Sequence, residues 1–466
     1  MSAIAPRTIR GFRGRVITAV DADYDAARRI WNGAIDRRPA MIAQCAGADD
    51  VIAAVRHARE NELLVSVRGG GHGVGGHAVN DGGIVIDLAN MRSVRVAPQA
   101  GRAWAGGGAL WGEFDHETQA FGLATTGGIV THTGVAGLTL GGGIGWLMRR
   151  HGTTADNLTR ADVVTADGGL VRAGEGGDAE LLWGLRGGGG NFGVVTSFEF
   201  ALHPIGTTVL AGPVVWAMED APEVLRFYRE FAREAPDELT TIAQLRTLPP
   251  FPAFPTQLHG RKVLQIGSVW AGSIERGEHA LAPLRACGKP LFDGLGPKPY
   301  VAVQGANDKA VPHGWHYYWK SCEVAGLADA AIDTLVERSL AMRSSRSYTI
   351  IFQLGGAVAR VGEDETAYSY RHAAFNINVN AVWLPEEDAG ARETAWARDL
   401  YDRLKPHQLG VYVNFLMDEG AERVRQAYGA TKYERLAALK DRYDPGNVFR
   451  MNQNILPAAK ATSPSC

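Results

Sequence analysis

The chain has 466 residues, enough for two or three domains with a bound cofactor between them. Its 45% hydrophobic and 21% charged residues and net charge of -2 are those of an ordinary globular protein, with no basis for binding nucleic acid or an anionic membrane. The four cysteines (Cys45, Cys287, Cys322 and Cys466) are scattered without a CxxC pair, which argues against a zinc site, an iron–sulfur site or a disulfide framework.

No apolar run is long enough to span a bilayer, and the opening MSAIAPRTIRGFRGRV lacks the apolar core of a signal peptide, so the default expectation is a cytoplasmic protein. Residues 21–33 and 48–61 read as surface helices. In the second, Val51, Ile52, Val55 and Ala58 fall at helical spacing behind Asp49 and Asp50, which suit a helix start. The apolar run 63–67 reads as a buried strand, and six glycines and an arginine follow it in Arg68-Gly69-Gly70-Gly71-His72-Gly73-Val74-Gly75-Gly76-His77. Glycine permits positive φ, and successive N–H groups in such a turn form an anion nest, which Arg68 could help to hold. A tight turn that binds nothing fits the loop alone equally well. His72 adds a hydrogen-bond donor, a metal ligand or a covalent anchor. No GxxxxGK[ST] is present, and the glycines open no amphipathic helix, so a Rossmann dinucleotide site fits poorly.

A turn and strand follow at 81–88, another strand at 102–108 and a helix at 109–121. The stretch 125–145, TTGGIVTHTGVAGLTLGGGIG, carries too many glycines for a good helix or interior strand. It suits loops that wrap closely around a flat, polar-edged ligand. Glycine makes up 58 of 466 residues, about 12% against a typical value near 7%, and much of the excess lies between Gly69 and Gly193. A strand at 161–165 and a further glycine loop at 181–195 lead into a strand ending at Phe200. Arg186 is expected to tie loops together.

Past His203-Pro204 the glycine clusters stop. Apolar strands (208–218, 262–271, 348–354, 373–383) alternate with helices (223–234, 327–342, 386–404), which suggests an α+β domain with a largely antiparallel sheet, one face covered and the other open to a ligand. LPPFPAFP at 248–255 reads as a stiff surface loop or lid. The aromatic stretch 313–320 reads as packing, with Trp319-Lys320-Ser321 as scaffold. Alternation over 411–418 suggests a strand presenting Tyr412, Asn414 and Leu416 on one face. A helix at 421–440 ends in turn residues 442–447.

Three segments in order, VRGGGHGVGGHAVNDGGIVIDLANM, the glycine block at 125–145 and YDPGNVFRMNQNILP, resemble the FAD-linked oxidases related to berberine bridge enzyme, in the vanillyl-alcohol oxidase/p-cresol methylhydroxylase superfamily. The similarity runs over nearly the whole chain. It implies an α+β fold with a discontinuous FAD-binding domain (1–204, completed by a returning segment 411–466) and a substrate domain (205–410) with an antiparallel sheet. It implies a single covalent 8α link from His72 to FAD. Along the cofactor it places Arg68, Gly69, Gly70, Gly71, Gly73, His77, Thr126, Gly127, Thr131, Thr133, Gly134, Gly137, Gly141, Gly142, Val194, Val195 and Asn454, with Asn452 as a further candidate. Three positions depart from the family pattern. Val130 stands where many relatives have a second, cysteinyl attachment point. Ile144 replaces an aromatic residue, often tyrosine, and Thr133 replaces a valine or leucine beside the flavin ring. Of a Tyr-x-Asn-Tyr motif only Tyr412 and Asn414 carry over, because the fourth residue is Phe415.

The expected activity is an oxidase: a small organic alcohol, lactol or amine loses a proton to Tyr412, a hydride passes to flavin, and O2 regenerates the flavin with release of H2O2. Three alternatives stay open: an oxygenating enzyme of secondary metabolism, a flavin- or ligand-binding protein without turnover, and a metal site at His72, His77 and His132. The expected partners are a small-molecule substrate and O2, with no nucleic acid and no membrane. The sequence names neither substrate nor oligomeric state.

Overall fold

The structure, a computed structural model, describes residues 8–458. Cys466 and the first seven residues of the N-terminal stretch lie outside the described residues. Three main sheets carry the chain. The first has the strand order Arg15–Ile17, Met41–Gln44, Ile84–Asp87, Val65–Arg68, with the outer pair Arg15–Ile17 and Met41–Gln44 antiparallel and the rest parallel. The inner strands Met41–Gln44 and Ile84–Asp87 are nearly unbroken apolar runs because both faces are buried. The helix Ala48–Glu60 packs on them, and Asp50 in its first turn accepts hydrogen bonds from Arg13 N–H (2.7 Å) and Ala46 N–H (2.8 Å).

The second sheet is antiparallel, in the order Val94–Ala97, Arg102–Gly106, Val194–Ala201, Leu158–Val164, Leu170–Gly174. Its core takes in Phe198 and Phe200 from the sheet and Val424, Leu436, Leu439 and Ile455 from the end of the chain. Lys440, fully buried, donates to the carbonyls of Asn191 (2.7 Å) and Phe449 (2.8 Å) and so ties a glycine loop to the returning tail. Both ends of the chain therefore build one unit around the first two sheets.

The third sheet has nine antiparallel strands drawn from residues 208–410. Its period-two alternation separates two faces. Ala243, Leu245, Ile351, Ile377, Val379 and Ala381 bury against the helices Ala221–Glu234, Asp329–Leu340 and Gly390–Leu404. Each large aliphatic side chain so buried contributes about 1.5–3 kcal/mol. The opposite face looks toward the glycine loops.

Several sequence expectations are corrected. The helix expected over 21–33 is one turn, Tyr24–Ala27, because the chain then extends to stack Trp31 on Tyr317 (ring centroids 3.8 Å apart). Residues 411–418 are no strand: Val413–Phe415 is a 3-10 turn closed by Phe415 N–H to the Tyr412 carbonyl (3.0 Å). The helix expected at 421–440 is two, Ala421–Tyr428 and Ala430–Tyr443, broken at Gly429 with φ +72°. Inside the glycine block a short helix forms over Val135–Leu140, since Val135, Ala136 and Leu140 reach the core. The strands Leu239–Thr247 and His316–Val324 and the helix Ile274–Ala286 were not anticipated. The proline-rich segment 248–255 is a surface loop that packs through Phe254 on Phe292, and none of its residues lines the cavity described below. Among the described residues no helix is long and apolar enough to cross a membrane.

One polar joint locks the third sheet's domain onto the glycine loops. Asp115, on the helix Trp111–Gln119, accepts from Gln304 Nε2 (2.9 Å), which also donates to the Gly128 carbonyl (3.1 Å). Burial pushes the Asp115 carboxyl up to about 7, against the opposing pull of Gln304. A carboxyl raised in the fold and ordinary when unfolded loses stability as pH climbs from about 4 to about 7, and the loss is constant above that window. Asp115→Asn keeps an acceptor for Gln304 and removes this dependence. Its unfolding free energy, read from urea titrations, should therefore rise relative to the unsubstituted protein between pH ~4 and pH ~7, by a difference on the order of a few kcal/mol. A pH-independent offset between the two proteins would contradict this.

Candidate functional site

A cavity of about 360 Å³ lies between the glycine loops and the open face of the third sheet. Its floor starts where the Val65–Arg68 strand ends. Arg68 aligns with Asp87 on the neighbouring strand and pairs with it through Nη2–Oδ2 (2.6 Å) and Nε–Oδ1 (3.1 Å), while Nη1 donates to the Ala27 carbonyl (2.6 Å). Arg68 thus braces the loop from outside and does not line the cavity.

Past Arg68 the backbone meets a second loop at van der Waals limits. A Cβ on Gly70 would lie 2.5 Å from Gly134 N and 2.6 Å from Gly134 Cα, so only glycine permits the approach. Gly71, at φ +65°, then turns the chain and brings His72 toward the same loop. His72 Nε2 lies 3.1 Å from His132 Nδ1, and Trp31 stacks on the imidazole at 4.3 Å. His313 is the third ring of this cluster, its centroid 4.9 Å from that of His132. His72 is half-buried and lines the cavity. Burial first, then His132 and His313, hold its pKa well below the ordinary value, so the ring is neutral. His77 lines the cavity but does not join this cluster. Among the described residues, no group of three or more His, Cys, Asp or Glu side chains is arranged to hold a metal ion.

Of the residues expected along the cofactor, Gly69, Gly70, Gly71, His72, Gly73, His77, Thr133, Gly134, Gly137, Gly141 and Val195 line the cavity. Val130, Ile144 and Asn452 line it as well. Several others are placed off it. Thr126 donates its hydroxyl to the Gly152 carbonyl (2.7 Å), and Gly127 lies under the Trp111 ring. Thr131 is bound through its N–H (2.8 Å) and hydroxyl to Asp308. Gly142 faces Tyr368. Val194 points to the opposite side of its strand from Val195, into the core of the first sheet. Asn454 is withdrawn from the cavity, with its Oδ1 buried and unpartnered.

Tyr412 and Asn414 meet as expected, though across a turn instead of along a strand face. The Tyr412 oxygen accepts from Gly143 N–H (2.8 Å) and Asn414 Nδ2 (2.8 Å), and Asn414 Nδ2 also donates to the Leu138 carbonyl (2.9 Å). Burial pushes the Tyr412 hydroxyl pKa up, and the two donated hydrogen bonds oppose it. Both residues line the cavity.

The upper wall was missed by the sequence reading. Gln244, Arg246, Tyr348, Ile350, Phe352, Asn378 and Asn380 project from the third sheet into the cavity, and Trp319 joins them, so its reading as scaffold is corrected. The signal was available: FNINVNAVW over 375–383 places asparagine at every second residue, and Gln244 and Arg246 interrupt an apolar strand at the same period.

Comparison with known proteins gives a consistent answer. The profile of the FAD binding domain matches residues 39–174, and that described as "Berberine and berberine like" matches 411–456. The chain is 31% identical to the (R)-6-hydroxynicotine oxidase of Paenarthrobacter nicotinovorans, over 96% of this chain and 97% of that protein. The crystal structure of 6-hydroxy-D-nicotine oxidase from Arthrobacter nicotinovorans superposes with a TM-score of 0.87 at 29% identity, covering 97% of this chain and 99% of the other. A BBE-like protein of Physcomitrella patens shares the fold, with a TM-score of 0.85 at 21% identity over 95% and 97% of the two chains.

Two glycines separate what the loops need to fold from what the cavity needs to stay open. Gly134 has φ -68°, which alanine adopts freely, yet its Cβ would lie 2.5 Å from Gly70 N. Gly134→Ala should therefore destabilise the protein by roughly 1–3 kcal/mol, read from denaturant unfolding. A Cβ on Gly137 meets nothing within 4 Å and enters the cavity from a helix. Gly137→Ala should unfold no earlier than the unsubstituted protein and yet incorporate less flavin, read from the ratio of flavin to protein absorbance of the purified chain.

Proposed function

The chain belongs to the berberine bridge enzyme-like FAD-linked oxidoreductases, and from that premise we propose that it is an oxidase acting on a C–H bond of a small organic alcohol, lactol or amine, with FAD attached through His72. The residues present fit that cofactor. Cβ atoms on Gly73, Gly137 and Gly190 would project into open cavity, as expected where backbone alone borders a flat ligand. The observation that carries the reading is the convergence of His72 and Tyr412 on one cavity with a mainly apolar lining. Bound FAD supplies the hydride acceptor and, on reoxidation by O2, yields H2O2.

The roles of the chain's own groups follow from their surroundings. His72 is neutral and so has a lone pair for bond formation. His132 holds its Nε2, and Trp31 holds its plane. Val130 borders the cavity without a nucleophile, and one covalent link is accordingly proposed. Tyr412 is assigned to receive the substrate's O–H or N–H proton. Gly143 N–H and Asn414 Nδ2 stabilise its phenolate, but desolvation is the larger effect, and near neutrality the hydroxyl is mostly protonated.

Acid precipitation of the purified protein tests the attachment. The unsubstituted chain should leave a yellow pellet and carry the extra mass of one FAD, whereas His72→Ala should give a colourless pellet and the bare polypeptide mass. A yellow His72→Ala pellet would place the link elsewhere.

The raised pKa of Tyr412 also sets a pH profile. A base must be deprotonated to act, so kcat/KM should climb with pH through the neutral and alkaline range. Tyr412→Phe should lower kcat/KM by about 10²–10⁴ and flatten that climb. An unchanged slope in Tyr412→Phe would assign the proton to another group.

A further inference from the structure

Arg246 is a cation inside the cavity with only neutral partners. Its Nη1 donates to Gln244 Oε1 (2.9 Å), and Nε makes a long contact to the Thr247 carbonyl (3.4 Å). The guanidinium lies 5.7 Å from the centre of the Tyr348 ring. Among the described residues no carboxylate pairs with it, and burial lowers its pKa, the direction taken by a desolvated cation without a counter-ion. Such a charge is costly unless something of opposite sign completes it.

The sheet register shows how that charge is presented. Arg246 lies opposite Tyr348, Tyr348 opposite Asn380, and Asn380 opposite Trp319, so four strands set these side chains in one row across the cavity wall. Three strand spacings, about 14 Å, separate its ends. The Trp319 end belongs to the reactive region: its ring centroid is 5.5 Å from that of Trp31, which stacks on His72, and 5.4 Å from that of Phe415, which in turn contacts Tyr412. The Arg246 end is the remote one. Along this wall Asn378 Nδ2 and Trp319 Nε1 are buried donors without a partner, and both residues border the cavity. Charge and unfilled donors alike call for acceptor oxygens, and the rings of Trp319, Tyr348 and Phe352 call for an apolar or aromatic body between them.

We infer that the substrate of this site is an anion, an aromatic or apolar molecule with a carboxylate that pairs with Arg246 at the end opposite the oxidised carbon. This rests on the oxidase reading for its orientation, but the anion-binding wall stands on this chain's own residues. Arg246 is then a specificity-determining residue: it touches substrate and no reacting atom.

The test compares 3-phenylpropanoate with its neutral counterpart 3-phenylpropanamide by calorimetry on the protein as purified. The carboxylate should bind at least tenfold more tightly. Arg246→Met should weaken carboxylate binding about tenfold to hundredfold and leave the amide within about twofold, the size of a lost charge-assisted hydrogen bond. Arg246→Lys should restore part of the discrimination. Equal binding of the two probes, no binding of the carboxylate, or a loss in Arg246→Met that falls equally on both would overturn the inference. The oxidase reading fails by a different sign, a preparation with no flavin spectrum, and the ratio of the two affinities is read whether or not flavin is present.

Discussion

The approach of Gly70 to Gly134 is the contact on which the site depends. Two backbones meet where neither residue can carry a side chain, and the meeting fixes the distance between the loops that bear His72 and His132. The buried Arg68–Asp87 pair braces one loop from outside, and the helix Val135–Leu140 starts directly after Gly134 and braces the other. Glycine costs backbone entropy on folding. Here that cost is offset by the cores beneath, and the return is a surface of bare backbone facing a cavity.

That surface matters only because a second wall is held at a fixed distance from it. Asn32 reaches between the two units, with Nδ2 donating to the Val74 carbonyl (2.9 Å) just past His72 and to the Tyr317 carbonyl (3.0 Å) on the third sheet. Arg149 does similar work further along, with its guanidinium bonded to the carbonyls of Leu239 and Ala235 at 2.8 Å. Gln304 and Asp308 add to these by bonding the Gly128 carbonyl and the Thr131 N–H. These bonds join backbone of one unit to side chains of the other. They therefore tolerate changes of cavity-lining side chains, so the wall chemistry can vary while the fold persists.

The parts of this arrangement legible in the sequence are those dictated locally. Glycine runs announce close backbone approach, and uninterrupted apolar runs such as Ile84–Asp87 announce buried strands. The readings that failed were decided by distant contacts. The alternation from Val411 to Leu416 is genuine, but Asn414 is held by the Leu138 carbonyl, more than 270 residues away in sequence, and the segment turns instead of extending. Val135–Leu140 is helical despite its glycine-rich setting because the core takes its apolar side, an instance of packing overriding propensity. The asparagines at 376, 378 and 380 were readable as one face of a strand. Their meaning was not, since only the register with Tyr348 and Trp319 shows what that face opposes.

Burial against a mainly apolar cavity wall imposes one rule on the titratable groups that border it: the charged form is disfavoured. The consequences differ in sign. For His72 the rule is helpful, since a neutral imidazole keeps its lone pair. For Tyr412 it works against proton acceptance, and the two donors from Gly143 and Asn414 are the local answer, aimed at the same oxygen. Arg246 cannot follow the rule by losing its proton, because a guanidinium holds it too tightly. An opposite charge would relieve it, and among the described residues no carboxylate pairs with it. The same burial that keeps the His72 imidazole neutral thus leaves a fixed positive charge at the far wall, where a ligand with its own negative charge would complete it.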